Sequence, residues 1–209
     1  MSYIGYVPAA KPLTSADITD GVITSAKIAD GTIVNADINA SAAIAQSKIT
    51  GSFGKVLQVV QTTKTDTFSS SSTSLVDITG LSVSITPSST ANKILVLFSV
   101  EIGQYSSNAN CTLQLIRGST AIYQGNQVGS NRKRGSNQTG PSGTENSVQS
   151  LTGMFLDSPS TTSSTTYKIQ GMSNNSATYQ VNQDYGAPSN DDTNRTVSVS
   201  QITVMEIGA

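Results

Sequence analysis

Ser15-Ala16-Asp17-Ile18-Thr19-Asp20-Gly21-Val22-Ile23-Thr24-Ser25-Ala26-Lys27-Ile28-Ala29-Asp30-Gly31-Thr32-Ile33 returns to isoleucine at every fifth position. Leu13 opens the series, and Ile38, Ile44 and Ile49 extend it, with Ala43 as one inserted residue. A small residue stands two places before each isoleucine: Ala16, Gly21, Ala26, Gly31, Ala36, Ala42 and Ser47. Asp20-Gly21 and Asp30-Gly31 add a weaker repeat of ten. Self-similarity at a fixed period is read before local propensity, because it marks a unit that stacks on its neighbours.

Five matches neither the 3.6-residue period of a helix nor the alternation of a strand. One apolar side chain in five makes a narrow stripe. Ordering the backbone costs about 1–2 kcal/mol per residue, and burying one isoleucine returns only about 1.5–3 kcal/mol. Residues 13–53 are therefore expected to need partners. Two architectures meet that need. Three identical chains can share one axis, with Leu13, Ile18, Ile23, Ile28, Ile33, Ile38, Ile44 and Ile49 as the trimer core and Gly and Ala permitting close backbone approach. Alternatively, one chain can coil as a pentapeptide-repeat solenoid, whose small-x-aliphatic pattern the segment resembles. Its units would fill only about two coils, however, and repeat stacks generally need three or more repeats plus caps. The trimeric stem is the preferred expectation.

Residues 54–209 read as all-β. Runs of strand character recur at Val56–Thr63, Leu75–Ile78, Leu81–Thr86, Lys93–Ile102, Cys111–Ile116 and Ala121–Tyr123, then at Val148–Leu156, Thr166–Met172, Thr178–Asn182 and Thr196–Ile207. Pro87-Ser88-Ser89, Arg117-Gly118-Ser119 and Asp157-Ser158-Pro159-Ser160 separate some of them. Many short strands with no amphipathic helix suit a jelly-roll β-sandwich head. Gly125–Ser147, rich in glycine and nearly devoid of apolar residues, reads as a long loop, and Gln183–Arg195 as a second.

Composition narrows the function. Hydrophobic residues make up 36% and charged residues 12%, with a net charge of −1. Such a neutral, polar surface offers nucleic acid no broad electrostatic grip. The chain has no histidine, which removes the usual Ser-His-Asp and Cys-His arrangements and the commonest zinc ligand. The single cysteine, Cys111, lies in a run with Leu113 and Leu115 and reads as a buried hydrophobe. No stretch approaches the ~18 apolar residues of a membrane span, so membrane insertion is not expected. The start, Met1-Ser2-Tyr3-Ile4-Gly5-Tyr6-Val7-Pro8, lacks the basic and apolar regions of a signal peptide.

The stem units at 15–23 and 25–33 resemble repeats in tail-fibre and related structural proteins of tailed bacteriophages. Ser2-Tyr3-Ile4-Gly5 resembles the opening of many such proteins. In the head, Thr79–Pro87 leading into Lys93–Val96, together with Val199–Ile207, resembles phage domains of the trimeric, tumour-necrosis-factor-like jelly-roll type. The resemblance implies a homotrimer on the surface of a virion. Residues 1–12, with Tyr3, Ile4, Tyr6 and Pro8, would attach to other virion proteins; residues 13–53 would form the stem; residues 54–209 would form an outward-facing head. It implies a tail fibre that contacts host surface glycan or protein, or alternatively a capsid fibre or decoration protein with a structural role. No cofactor is implied.

Candidate receptor contacts are read from the residues. Tyr105 and Tyr185 lie near loops, where aromatic faces suit adhesion. Tyr123, Tyr167 and Tyr179 fall in strand runs and read as packing. Arg132, Lys133 and Arg134 form the one basic cluster, able to grip an acidic glycan. Asp191 and Asp192, within Asn190–Asn194, are oxygen-rich but lack an EF-hand's spacing and closing glutamate, so no metal is expected. The head carboxylates show no paired motif of a glycan-cleaving enzyme, and enzyme activity is not expected.

Overall fold

The computed structural model describes residues 14–39, 41–44, 48, 55–104, 110–140, 147–184 and 196–209. The chain divides into two units, Met1–Gly51 and Ser52–Ala209.

In the first unit the conformational repeat is ten residues, twice the spacing of the isoleucines. Single 3-10 turns at Ser15–Asp17, Ser25–Lys27 and Asn35–Asp37 alternate with turns closed by Val22 N–H donating to Thr19 O (3.2 Å) and Thr32 N–H to Ala29 O (3.1 Å). Glycine causes the alternation. Gly21 and Gly31 take φ of +78° and +76°, as the third residue of a type II turn requires, whereas the alanines at 16, 26 and 36 sit in the 3-10 turns. Acidic side chains fasten two of those turns: the Asp17 carboxylate accepts from Thr14 N–H (2.9 Å) and Thr14 Oγ1 (2.6 Å), and Asp37 accepts from Val34 N–H (2.9 Å). Lys27 occupies the matching position in the middle repeat and cannot accept.

The second unit is all-β, with two antiparallel sheets. The strands are β1 (Val56–Lys64), β2 (Phe68–Ser70), β3 (Val76–Ile85), β4 (Lys93–Gln104), β5 (Cys111–Arg117), β6 (Thr120–Ile122), β7 (Asn137–Gln138), β8 (Val148–Asp157), β9 (Thr165–Ser173), β10 (Tyr179–Val181) and β11 (Ser200–Ile207). One sheet runs β1-β11-β4-β10-β2, with β8 also paired to β4; the other runs β3-β9-β5-β6, with β7 paired to β5. Ile94, Val96, Phe98, Val100 and Ile102 of β4, alternate residues of one strand, pack in a single cluster with Val83, Leu113, Leu115, Tyr167 and Ile169 of the other sheet. The period of two thus places the core between the sheets.

Several particulars differ from the sequence expectation. The two runs at 75–78 and 81–86 are one strand, β3, irregular between Asp77 and Ser82, where Gly80 takes φ +88°. β2 and β7 were not expected, being short and free of apolar alternation. The Gly125–Ser147 stretch is not simply a loop: its part at 135–139 lies along β5, with Ser136 N–H donating to Leu113 O (2.7 Å) and Thr139 N–H to Cys111 O (2.9 Å).

Two buried polar clusters lock the unit. Asp157 at the end of β8 accepts from Arg117 Nη1 with both oxygens (2.8 and 2.9 Å) and from Tyr167 Oη (2.6 Å), tying β8 of one sheet to β5 and β9 of the other. Burial, reinforced by that carboxylate, pushes the Tyr167 phenol well above its ordinary range. Glu206 on β11 is 1% exposed and accepts from Asn92 Nδ2 (2.6 Å), Gln58 Nε2 (2.6 Å), Ser88 N–H (2.6 Å) and Ser88 Oγ (2.8 Å). Burial alone would raise its pKa, but these donors together outweigh burial and hold it at about 2.

A carboxylate depressed from 4.5 to about 2 stabilises the fold above its unfolded value, and that contribution disappears as pH falls through the folded value. Denaturant melts at pH 6 and pH 3 are therefore expected to show the wild type losing stability over this window. Glu206→Gln should be less stable by about 1–3 kcal/mol at pH 6 and lose less on acidification. Equal acid sensitivity of the two proteins would remove Glu206 from this role.

Candidate functional site

Two apolar surfaces and one groove with a basic end stand out. In the first unit every described side chain is exposed. Ile18, Ile23, Ile28, Ile33, Ile38 and Ile44 are 37–55% exposed, and Val22 and Val34 are exposed beside them. Leu13 and Ile49 lie outside the described residues. The isoleucines have no cover within the described chain, the condition that makes exposed apolar surface informative.

The second apolar surface is the outer face of the β1-β11-β4-β8 sheet. Register aligns Val59, Met205, Leu95 and Leu156 in one row across the four strands. Gln61, Thr203, Leu97 and Met154 form the next. Val59, Leu156 and Met154 are exposed, and Leu95, Leu97 and Met205 half-buried. A solvent-facing sheet side normally carries polar residues; here the outer side of β4 carries Leu95 and Leu97 between Lys93 and Ser99. A hollow of ≈ 540 Å³ opens on this face, lined by Leu97, Met154, Gln201 and Thr203 among others.

The groove lies where the chain leaves β6. Tyr123 takes φ +50°, a left-handed conformation uncommon for a bulky residue, and its ring packs against Phe155 at 5.3 Å between centroids. It is 38% exposed, and so is not the strand-packing residue that the sequence suggests. Tyr167 and Tyr179 do pack inside, at 0% and 1%. A hollow of ≈ 490 Å³ is lined by Ala121, Tyr123, Gln124, Gly125, Gly135, Ser136 and Phe155 among others. Gly125, Gly135 and Ser136 also line a neighbouring hollow of ≈ 220 Å³ with Asn126, Lys133, Arg134 and Gln138. The two hollows adjoin the same segments, at Gly125 and at Gly135–Ser136.

The floor of this groove is held by β5. Leu115 N–H and Gln114 Nε2 donate to Ser136 Oγ (2.9 and 3.2 Å), and Cys111 N–H donates to Thr139 Oγ1 (2.8 Å). Gly135 runs against Thr112, where a Cβ would fall 2.3 Å from Thr112 Cγ2 and 2.9 Å from Leu113 O. Arg134 Nε donates to Gly125 O (2.7 Å) and closes the turn; Gln127 Nε2 holds Gly129 O and Arg132 O (2.7 and 3.1 Å). Arg132, Lys133 and Arg134 are all exposed, and the structure places Lys133 and Arg134, not Arg132, in the groove lining.

Of the other expected contacts, Tyr105, Tyr185, Asp191 and Asp192 lie outside the described residues, as do Tyr3, Ile4, Tyr6 and Pro8. Among the described residues no group of three or more Asp, Glu or Cys side chains is placed to hold a metal. Asp77 is held by Lys168 and Gln170 (2.8 and 2.7 Å), which lower its pKa. Cys111 is buried, and burial raises its thiol far above the ordinary range.

Gly135→Ala is expected to destabilise the second unit by about 1–3 kcal/mol through overpacking against Thr112 and the Leu113 carbonyl. Gly125→Ala, where an added Cβ meets nothing within 4 Å, should change the melting temperature little. Similar effects from both would show that the close approach at Gly135 does not anchor the groove.

Comparison with protein-family models gives no match, and a search of curated proteins gives none either.

Proposed function

We propose that the chain is a homotrimeric fibre protein of a bacteriophage particle, a tail fibre that attaches the particle to the host surface. The observation that carries this reading is the uncovered isoleucine series of residues 18–44. No second layer of this chain shelters it among the described residues, and the hydrogen bonds of its backbone join residues two or three apart. Side chains so regularly spaced and so exposed are sheltered when identical chains bring their stripes together on one axis.

The head supports the same reading through its apolar sheet face, which a second copy would cover. Its strand order, β1-β11-β4-β8 against β3-β9-β5-β6, supports a jelly roll, because successive strands cross repeatedly between the two sheets. Residues 1–12 attach to the virion in this scheme. Three heads on one axis convert weak single contacts into avidity for a surface that presents many copies of the receptor.

Sedimentation equilibrium of the full chain is expected to give the mass of three chains. Ile23→Asn combined with Ile33→Asn should weaken assembly at least tenfold while leaving the head's melting transition in place. Met154→Asp, on an exposed site, should cost a lone subunit under about 0.5 kcal/mol yet lower trimer stability markedly. A folded single subunit at micromolar concentration would overturn the fibre reading.

A further inference from the structure

We propose that the groove from Lys133 and Arg134 to Tyr123 binds an acidic oligosaccharide, its carboxylate against the two cations and a sugar ring against the tyrosine. The proposal rests on the attachment reading only for the saccharide's source, the host surface.

Charge sets the class of ligand. Lys133 and Arg134 are the charged residues of the groove lining, which contains no carboxylate. Neither forms an ion pair among the described residues. Arg134 spends its Nε on Gly125 O, which fixes the plane of the guanidinium and leaves its terminal nitrogens without a partner among the described residues. A planar fork held in this way suits a carboxylate better than a freely rotating cation does.

A polar end beside an aromatic, apolar one then favours a sugar. The two hollows, ≈ 490 and ≈ 220 Å³, share Gly125, Gly135 and Ser136, so a ligand longer than one sugar can engage both. The side-chain amides of Asn126 and Gln138 line the basic end, and each can both donate to and accept from sugar hydroxyls. At the other end Tyr123 supplies an aromatic surface with a hydroxyl. Its left-handed backbone costs on the order of 1–3 kcal/mol, and such a conformation persists where packing, here against Phe155, over-determines it. The floor is pinned to β5, so the site is formed before a ligand arrives, which reduces the ordering cost of binding. A nucleic acid is disfavoured by the chain's net charge of −1.

The test is calorimetric titration of the full-length protein with a hexuronate-containing tetrasaccharide, its carboxyl-reduced neutral counterpart, and inorganic sulfate. The acidic sugar is expected to bind at least tenfold more tightly than the neutral one, and more tightly than sulfate. Lys133→Gln and Tyr123→Ala should each weaken it about tenfold. Lys133→Gln alters an exposed side chain and is expected to leave the melting temperature unchanged, which keeps the test valid if Tyr123→Ala proves unstable. Equal binding of acidic and neutral sugars, equal binding of sulfate, or indifference to Lys133→Gln would overturn the proposal. A parallel assay on bacterial cells separates the two readings. Cell binding that survives both substitutions removes the groove and leaves attachment standing; sugar binding without any cell binding keeps the groove and removes attachment.

Discussion

Apolar surface without cover is the constraint from which the rest follows. The head satisfies it internally wherever two sheets face each other, and there the alternate residues of β4 are buried to 4% or less. The first unit has no second layer among its described residues. Local backbone hydrogen bonds close its turns, yet such bonds do nothing for an isoleucine exposed to water. The outer face of β4 and β8 repeats the situation at Met154 and Leu156, which are exposed. Both regions thus leave apolar side chains in contact with water among the described residues.

Within the head, polar interactions do a different job. Asp157 joins the two sheets, and Glu206 joins β11 to β1 and to the residues before β4. Each buried carboxylate is surrounded by donors, so neither leaves an unmet charge in the core. Rigidity of this kind matters because the groove at Tyr123 is built on connecting chain. Ser136 and Thr139 transfer the order of β5 to that connection, and the groove rests on a fixed base.

Much of the β architecture was legible in side-chain alternation. Ile94, Val96, Phe98, Val100 and Ile102 announce a strand with one face in the core, and the expected bounds of β4, β5, β8 and β9 lie within two residues of the observed ones. What stayed hidden has identifiable causes. β2 and β7 are short and polar, and pairing alone defines them. Gly80 interrupts the pattern of β3 without ending the strand. Thr112 and Gln114 look solvent-facing by alternation but are 2% and 1% exposed, because a glycine-rich segment distant in sequence covers them. The ten-residue backbone repeat was visible only as Asp-Gly pairs, whose significance depends on φ. Of the groove, Lys133 and Arg134 were legible as charge. Tyr123 was not, since its exposure follows from a left-handed turn that no spacing rule signals.

The pairing of β1 with β11 fixes the topology of the chain ends of the head. Val56 lies opposite Ile207, Gly208 N–H donates to Lys55 O (2.7 Å), and Lys55 Nζ donates to Ala209 O (2.6 Å). The strand that opens this unit and the strand that closes it therefore meet at one edge. A short linker from Ala209 to Lys55 can join them, and new termini can be opened at the exposed hairpin of Gly118 and Ser119, as circular permutation requires. The head is thus separable in engineering terms from the segment that precedes it, and a peptide appended after Ala209 emerges beside the point where the polypeptide enters, away from the end of the sheet at Gln104.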